Sequence, residues 1–270
     1  MFASLRNLFR GTTSAGPAVS AAVQRAKLDR PLPGVDTYVV GDVHGRADLL
    51  ERVLEAIDAD IGQIRARNPQ LVFVGDYIDR GPDSAAVLRR MLELSTELPN
   101  NVTCLLGNHE RMMLDFLVDP VSRGPRWLRS GGTSTLESFG LHTGALDLGS
   151  SADTFLSINA ALKTQMGPEM ISWLKTRPLI WNSGNLWVVH AAADPQHAMD
   201  DQSPRILLWG HPEFRYRRRS DEMWVAHGHT IVSAPLATDG CISVDTGAYQ
   251  TGILTACAVR PNGDVKFLTS

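Results

Sequence analysis

The sequence predicts an α/β fold, and three observations lead to it. From Thr37 onward, short apolar runs of strand type alternate with segments of helical spacing; the first three runs each stop at a glycine followed by polar residues; a second group of strand-like runs closes the chain. Parallel neighbours need crossover connections, most often helices, so this order points to a parallel sheet.

Residues 1–33 read as a flexible tail. Their opening, MFASLRNLFRGTTSAGPAVSAAVQRAKL, sets Phe2, Leu5, Leu8 and Phe9 beside Arg6 and Arg10 without the continuous apolar segment of a secretory signal. That pattern leaves open a tail contact with a membrane or a partner. Pro31 and Pro33 punctuate the chain, and one folded domain is expected over 34–270.

Within the domain TYVV reads as the first strand, Asp48 to Ile64 as a helix and LVFV as the second strand. Asp83 to Glu97, with Val87, Leu88, Met91, Leu92 and Leu94, is helical again and leads into VTCLL. The stretch from Arg111 to Pro178 reads mostly as helix, interrupted at Gly131 and Gly132. LWVV, MWVA, CISV and ILTACAV are strands near the carboxyl end. No internal repeat divides the chain.

Composition narrows the function classes. With 270 residues, 43% apolar and 20% charged, the chain is long and apolar enough to bury a core. A net charge of −3 offers no concentrated basic footprint, so nucleic acid is not the expected partner. Cys104, Cys241 and Cys257 are odd in number and sit in apolar runs, as reduced core thiols do. No apolar stretch reaches the ~20 residues needed to span a bilayer. Together these features lead to a cytoplasmic protein as the expectation.

The chemistry gathers at strand ends. VVGDVHG carries Asp42 and His44, VGDYIDRG carries Asp76, Asp79 and Arg80, and LLGNHE carries Asn108 and His109. Ligands of open parallel sheets bind at the carboxyl ends of strands, so these loops are expected to converge. Gly41, Gly75 and Gly107 allow the chain to turn tightly there. VVHAA and VAHGHT add His190, His227 and His229. Singly, such an aspartate commonly caps a helix and such a histidine is commonly a structural hydrogen-bonding group. Five strand ends with ligand-type residues at one edge make a metal site the better reading. Aspartate oxygens, imidazole nitrogens and an amide oxygen suit manganese, iron or zinc.

In order, GDVHG, GDYIDRG, GNHE, the strand-end His190 and GHT resemble the phosphoprotein phosphatase family of metallophosphoesterases, over roughly Tyr38 to Val259. The resemblance implies a calcineurin-like fold, a four-layer α/β/β/α sandwich of two mixed sheets with the site at its edge. It implies two divalent ions, manganese first, held by Asp42, His44 and Asp76 on one side and by Asp76, Asn108, His190 and His229 on the other, with Asp76 bridging. A metal pair about 3.5–4 Å apart supplies a bound hydroxide for in-line displacement. His109 would be the general acid, Asp79 its orienting carboxylate, and Arg80 with Asn108 the phosphate contacts.

Some positions depart from the family. In LLWGHPEF, His211 stands where a second phosphate-binding arginine is usual; either protonated His211 or an arginine of the run Arg215, Arg217, Arg218, Arg219 could replace it. His227 is read as a non-ligand, and Asp245 of VDTGA as a turn residue. The leading reading is a serine/threonine protein phosphatase acting on a phosphorylated protein, peptide or small phosphoester. Symmetrical dinucleoside tetraphosphate hydrolases often lack the aspartate of DRG and carry GNHD, so Asp79 and Glu110 place that activity second. A catalytically silent phosphate- or partner-binding module is the non-enzyme alternative.

Overall fold

The computed structural model of the protein describes residues 30–142, 144 and 149–270. The expected tail lies outside the described residues as far as residue 29. Pro31 and Pro33 are buried, and the Leu32 N–H donates to the Asn185 side chain, so the packed chain includes these last residues of the expected tail.

The first sheet is ordered β10-β9-β1-β2-β3, built from β1 (Thr37–Val40), β2 (Gln70–Phe73), β3 (Val102–Cys104), β9 (Thr255–Val259) and β10 (Val265–Thr269). β1, β2 and β3 are parallel, as their connections require: α1 (Ala47–Ile64) and α2 (Ser84–Glu97) make the two crossovers. β9 runs antiparallel to both β1 and β10, which makes the sheet mixed.

The second sheet is ordered β4-β5-β6-β8-β7, from β4 (Ile180–Ser183), β5 (Leu186–Val189), β6 (Trp224–His227), β7 (Leu236–Thr238) and β8 (Cys241–Ser243). β5, β6 and β8 are parallel, and antiparallel β4 and β7 close the two edges.

Side-chain alternation sorts each strand between two cores. Tyr38 and Val40 of β1 join the large cluster under the helices, whereas Val39 packs with Val72, Val188, Ile242 and Cys257 between the sheets. In the second sheet Ala226 faces inward, and Val225 faces an outer cluster with Phe214 and Leu207 of α7 (Pro204–Trp209). Two mixed sheets flanked by helices are thus the observed architecture, as expected. The Gly131 and Gly132 interruption is a kink within Leu128–Gly132, where Gly131 has φ 107° and leaves the helical conformation. It separates α4 (Pro120–Trp127) from α5 (Thr133–Ser138). α3 (Asn108–Val118) precedes them, and α6 (Ala152–Lys175) follows, broken at Gly167.

Candidate metal centre

The carboxyl ends of β1, β2 and β3 in one sheet and of β5 and β6 in the other meet at one edge. The His44 N–H donates to Asp76 O at 2.9 Å, the Val43 N–H to the same oxygen at 3.1 Å, and the Gly228 N–H to His190 O at 2.8 Å. Among the described residues nine non-glycine positions have positive φ, and five of them are His44, Asp76, Asp79, Arg80 and His229. Such backbone persists only where the surroundings over-determine it, and it gathers at functional sites.

Glu110 supplies much of that constraint. From the first turn of α3 its Oε2 accepts the N–H groups of Asp76 (2.9 Å) and Gly107 (3.0 Å), and its Oε1 those of Tyr77 (2.8 Å) and Ile78 (3.3 Å). Burial and the nearby Asp76 push this carboxyl up to about 8. All four partners are donors, however, so the geometry is that of an ionised carboxylate. Packing against Asp76 leaves no room for a β-carbon on Gly107, which explains that glycine.

Two groups of ligand-type atoms share Asp76. Those of His44, Asp76 and His109 lie within 4.8 Å of one another, as do those of Asp76, His190 and His229. His44 Nδ1 is 2.7 Å from Ile78 O and His190 Nδ1 is 3.1 Å from Val74 O, so each ring donates there and turns a bare Nε2 inward. Burial lowers these imidazoles to about 3 and about 4, which keeps both neutral, as ligands must be.

The fit to a cation is clearest at His190, whose Nδ1–H is committed to Val74 O so that its bare Nε2 faces other acceptors. His190 Nε2 stands 2.8 Å from Asn108 Oδ1 and 3.4 Å from an Asp76 oxygen, and His229 Nδ1 stands 2.9 Å from the same amide oxygen. Lone pairs facing one another at these distances repel unless a positive ion lies among them. Asp42 is in neither group of three. Both its oxygens accept the His229 N–H, at 3.1 and 3.0 Å, and burial with Asp245 and Asp76 nearby pushes its carboxyl well above the ordinary range. Three buried carboxylates near one another likewise call for cations. The donor set fits divalent transition metals.

Beside the centre His109 Nδ1 is 2.6 Å from Asp79 Oδ2. Asp79 is fully buried and also accepts from Trp127 Nε1 (3.1 and 3.0 Å) and Thr135 Oγ1 (2.6 Å). Burial works to lower the His109 pKa, but the Asp76 and Asp79 carboxylates outweigh it and hold the imidazole above its usual value. Arg80 reaches over the cluster, with its terminal nitrogens 3.2 Å from His44 Nε2 and 3.2 Å from His109 Nε2. Its guanidinium carbon lies 4.8 Å from the centre of the Tyr249 ring, which also packs edge-on to His44 at 5.3 Å.

His211 is placed elsewhere. Its Nδ1 accepts the Glu213 N–H at 3.3 Å and its Nε2 lies 3.6 Å from Asp194 Oδ2. Arg219 donates to the carbonyls of Asp194 and His197 and pairs with Asp221, and Arg217 pairs with Glu213 at 3.1 Å. None of these contacts is with the metal-type cluster. Buried His227 bonds Ser243 Oγ at 2.9 Å and lies in neither ligand group. Sequence reasoning assigned no site role to Glu110, Trp127, Thr135 or Tyr249. Only GNHE carried a signal, for Glu110.

Residues 36–233 match the family model of calcineurin-like phosphoesterases. The chain belongs to this family. Among curated relatives of this calcineurin-like phosphoesterase is the asymmetrical bis(5'-nucleosyl)-tetraphosphatase PrpE of Oceanobacillus iheyensis, 25% identical over 81% of this chain and 86% of that one. A symmetrical bis(5'-nucleosyl)-tetraphosphatase of an Acidovorax species is 34% identical over 61% of this chain and 46% of the relative. The crystal structure of a putative diadenosine tetraphosphatase superposes with a TM-score of 0.59 at 21% identity, covering 90% of this chain and 98% of the other, a likeness of fold. The expected metallophosphoesterase class is thereby shown. The named relatives match the second-placed substrate reading better than the first. Among the described residues no helix is long and apolar enough to cross a membrane.

Proposed function

We propose that this calcineurin-like phosphoesterase is a dinuclear-metal hydrolase of dinucleoside polyphosphates. The position of Asp76 between His44 on one side and His190 and His229 on the other supports the dinuclear reading, with His109 of the first group kept for the proton. The substrate reading is supported by relatives named as bis(5'-nucleosyl)-tetraphosphatases that match over most of both chains.

His44, Asp76, Asn108, His190 and His229 would hold the ions, with Asp42 buttressing the His229 loop and completing the first site. Two divalent ions, manganese first and iron or zinc as alternatives, would supply a nucleophile at neutral pH and offset charge on the phosphoryl oxygens. Arg80 would grip a non-bridging phosphate oxygen through its paired N–H groups. His109 Nε2, which faces Arg80 and the shared Asp76, would give its proton to the departing oxygen. Asp79 keeps the tautomer with Nδ1–H toward itself and stabilises the charged ring.

A second reading, hydrolysis of phosphoserine or phosphothreonine peptides, is favoured by that acid pair. An alkoxide leaves poorly and needs a proton more than a nucleotide phosphate does. The deciding experiment compares diadenosine tetraphosphate with a phosphoserine peptide at equal manganese. A large preference for the dinucleotide is expected, and a large preference for the peptide overturns the ranking. Absence of hydrolysis across divalent ions defeats the enzymatic reading and leaves the silent binding module.

A further inference from the structure

Arg126, in the last turn of α4, holds its guanidinium carbon 4.4 Å from the centre of the ring of Trp209, the last residue of α7. The arginine is exposed and the tryptophan half-buried. Among the described residues no acidic group pairs with Arg126, so its N–H edge is left to solvent.

The metal ligands fix where this contact lies. Asn108 at the start of α3 faces His190 just past β5, Oδ1 to Nε2 2.8 Å, and this pair joins the two sheets. One turn further along α3, a rise of about 5.4 Å, Met112 Sδ is 3.4 Å from Ser130 Oγ, which is itself 3.2 Å from Arg126 O. On the other sheet, the residue after His190 is Ala191, whose N–H donates to Leu207 O at 2.8 Å, two residues before Trp209. Arg126 and Trp209 therefore meet across the gap that Asn108 and His190 span. They lie on its solvent side, since Asn108 and His190 are buried and Arg126 is not. Trp127, the next residue, is buried and donates to Asp79, which ties this end of α4 to the acid pair.

Arg80 and the ions answer the charge of the phosphoryl group under attack. A polyphosphate chain brings further anionic groups, which must extend outward from the ions toward solvent. A guanidinium resting on an aromatic face keeps its donors free and is oriented by the ring. Its fork matches two oxygens of a phosphate.

We propose that Arg126, held on Trp209, binds the phosphates of a polyphosphate substrate that lie beyond the one under attack, and so separates polyphosphates from simple monoesters. This deepens the hydrolase reading and rests on it for the substrate class.

The test is calorimetric titration of ADP, AMP and orthophosphate, each at the same excess of manganese, into the full-length manganese-loaded chain in the His109→Asn background. Adding Arg126→Ala should weaken ADP at least ~10-fold while AMP and orthophosphate change less than ~2-fold. The side chain is exposed, so the melting temperature should stay unchanged. Trp209→Leu, which removes the platform and keeps the charge, should weaken ADP several-fold, and Trp209→Phe should restore most of the loss. Equal ADP binding with and without Arg126 overturns the proposal, as does an equal loss for all three ligands. Hydrolysis of diadenosine tetraphosphate by the unsubstituted chain, measured alongside, reports on the substrate reading separately. Arg126-dependent ADP binding without dinucleotide hydrolysis defeats that reading and keeps the site; dinucleotide hydrolysis with an unchanged KM in Arg126→Ala keeps the reading and defeats the site.

Discussion

His109 Nδ1 and Asp79 Oδ2 are 2.6 Å apart, and that carboxylate is fixed from its other sides by Trp127 and Thr135. The imidazole therefore has one orientation, with Nε2 toward the shared Asp76, 3.9 Å away. Replacing His109 with Asn should lower turnover of a phosphoserine peptide by about 10²- to 10⁴-fold, the usual worth of a general acid. The deficit on diadenosine tetraphosphate should be smaller, because its leaving group is less basic. Metal content, read by elemental analysis, should stay unchanged.

Asp79→Asn keeps the shape and removes one of the two charges, with that of Asp76, that raise the His109 pKa. Turnover should fall, and the alkaline limb of the rate profile should move to lower pH, since the ring then loses its proton sooner. Trp127→Phe removes one donor from a buried carboxylate. It should cost about 1–3 kcal/mol in urea unfolding, with a several-fold loss of turnover.

Tyr249 lies against both Arg80 and His44 without any sequence signal of a site role. An aromatic face under a guanidinium is worth about 0.5–2 kcal/mol and fixes its orientation. Tyr249→Leu should raise KM for phosphoesters by about 3- to 30-fold with a smaller change in kcat, while Tyr249→Phe should restore most of the affinity. Equal KM values for the two variants would remove the ring from phosphate binding.

Far from the centre, Asp60 gathers Lys266 (2.7 Å), the Tyr38 hydroxyl (2.7 Å) and Arg260 under the first sheet. Burial would raise its carboxyl, but the hydrogen bonds from Lys266, Arg260 and Tyr38 outweigh it and hold it below the ordinary range. A depressed folded pKa gives stability that is present above the unfolded pKa, about 3.9, and is lost as pH falls through the folded value. Asp60→Asn should cost about 1–3 kcal/mol at pH 7. The difference from the unsubstituted chain should vanish under strongly acid conditions, as urea midpoints would show.

Chelation of bound ions should leave the acceptor atoms of Asn108 and His190 facing one another again. The melting temperature should fall, and added manganese should restore it.

Much of this protein was legible in its sequence because the information is local. The strand TYVV, the helix ending at Ile64 and the polar clusters after GD, GD and GN follow from periodicities of 2 and 3.6 and from residue chemistry, and the structure has them there. The edge strands β4, β7 and β10 were not read. They are short, partly exposed hairpin partners whose pairing, not their composition, makes them strands. The same division holds at the site. Asp76, His44, His109, His190 and His229 announce themselves by type and position, because carboxylates and imidazoles gathered at strand ends carry their chemistry in the residue type itself. Trp127, Thr135, Tyr249 and the position of His211 depend on which segments pack together across the fold, 48 residues from Trp127 to Asp79 and 56 from Thr135 to Asp79. Residue type fixes what a side chain can do; only long-range packing decides which neighbour it does it to.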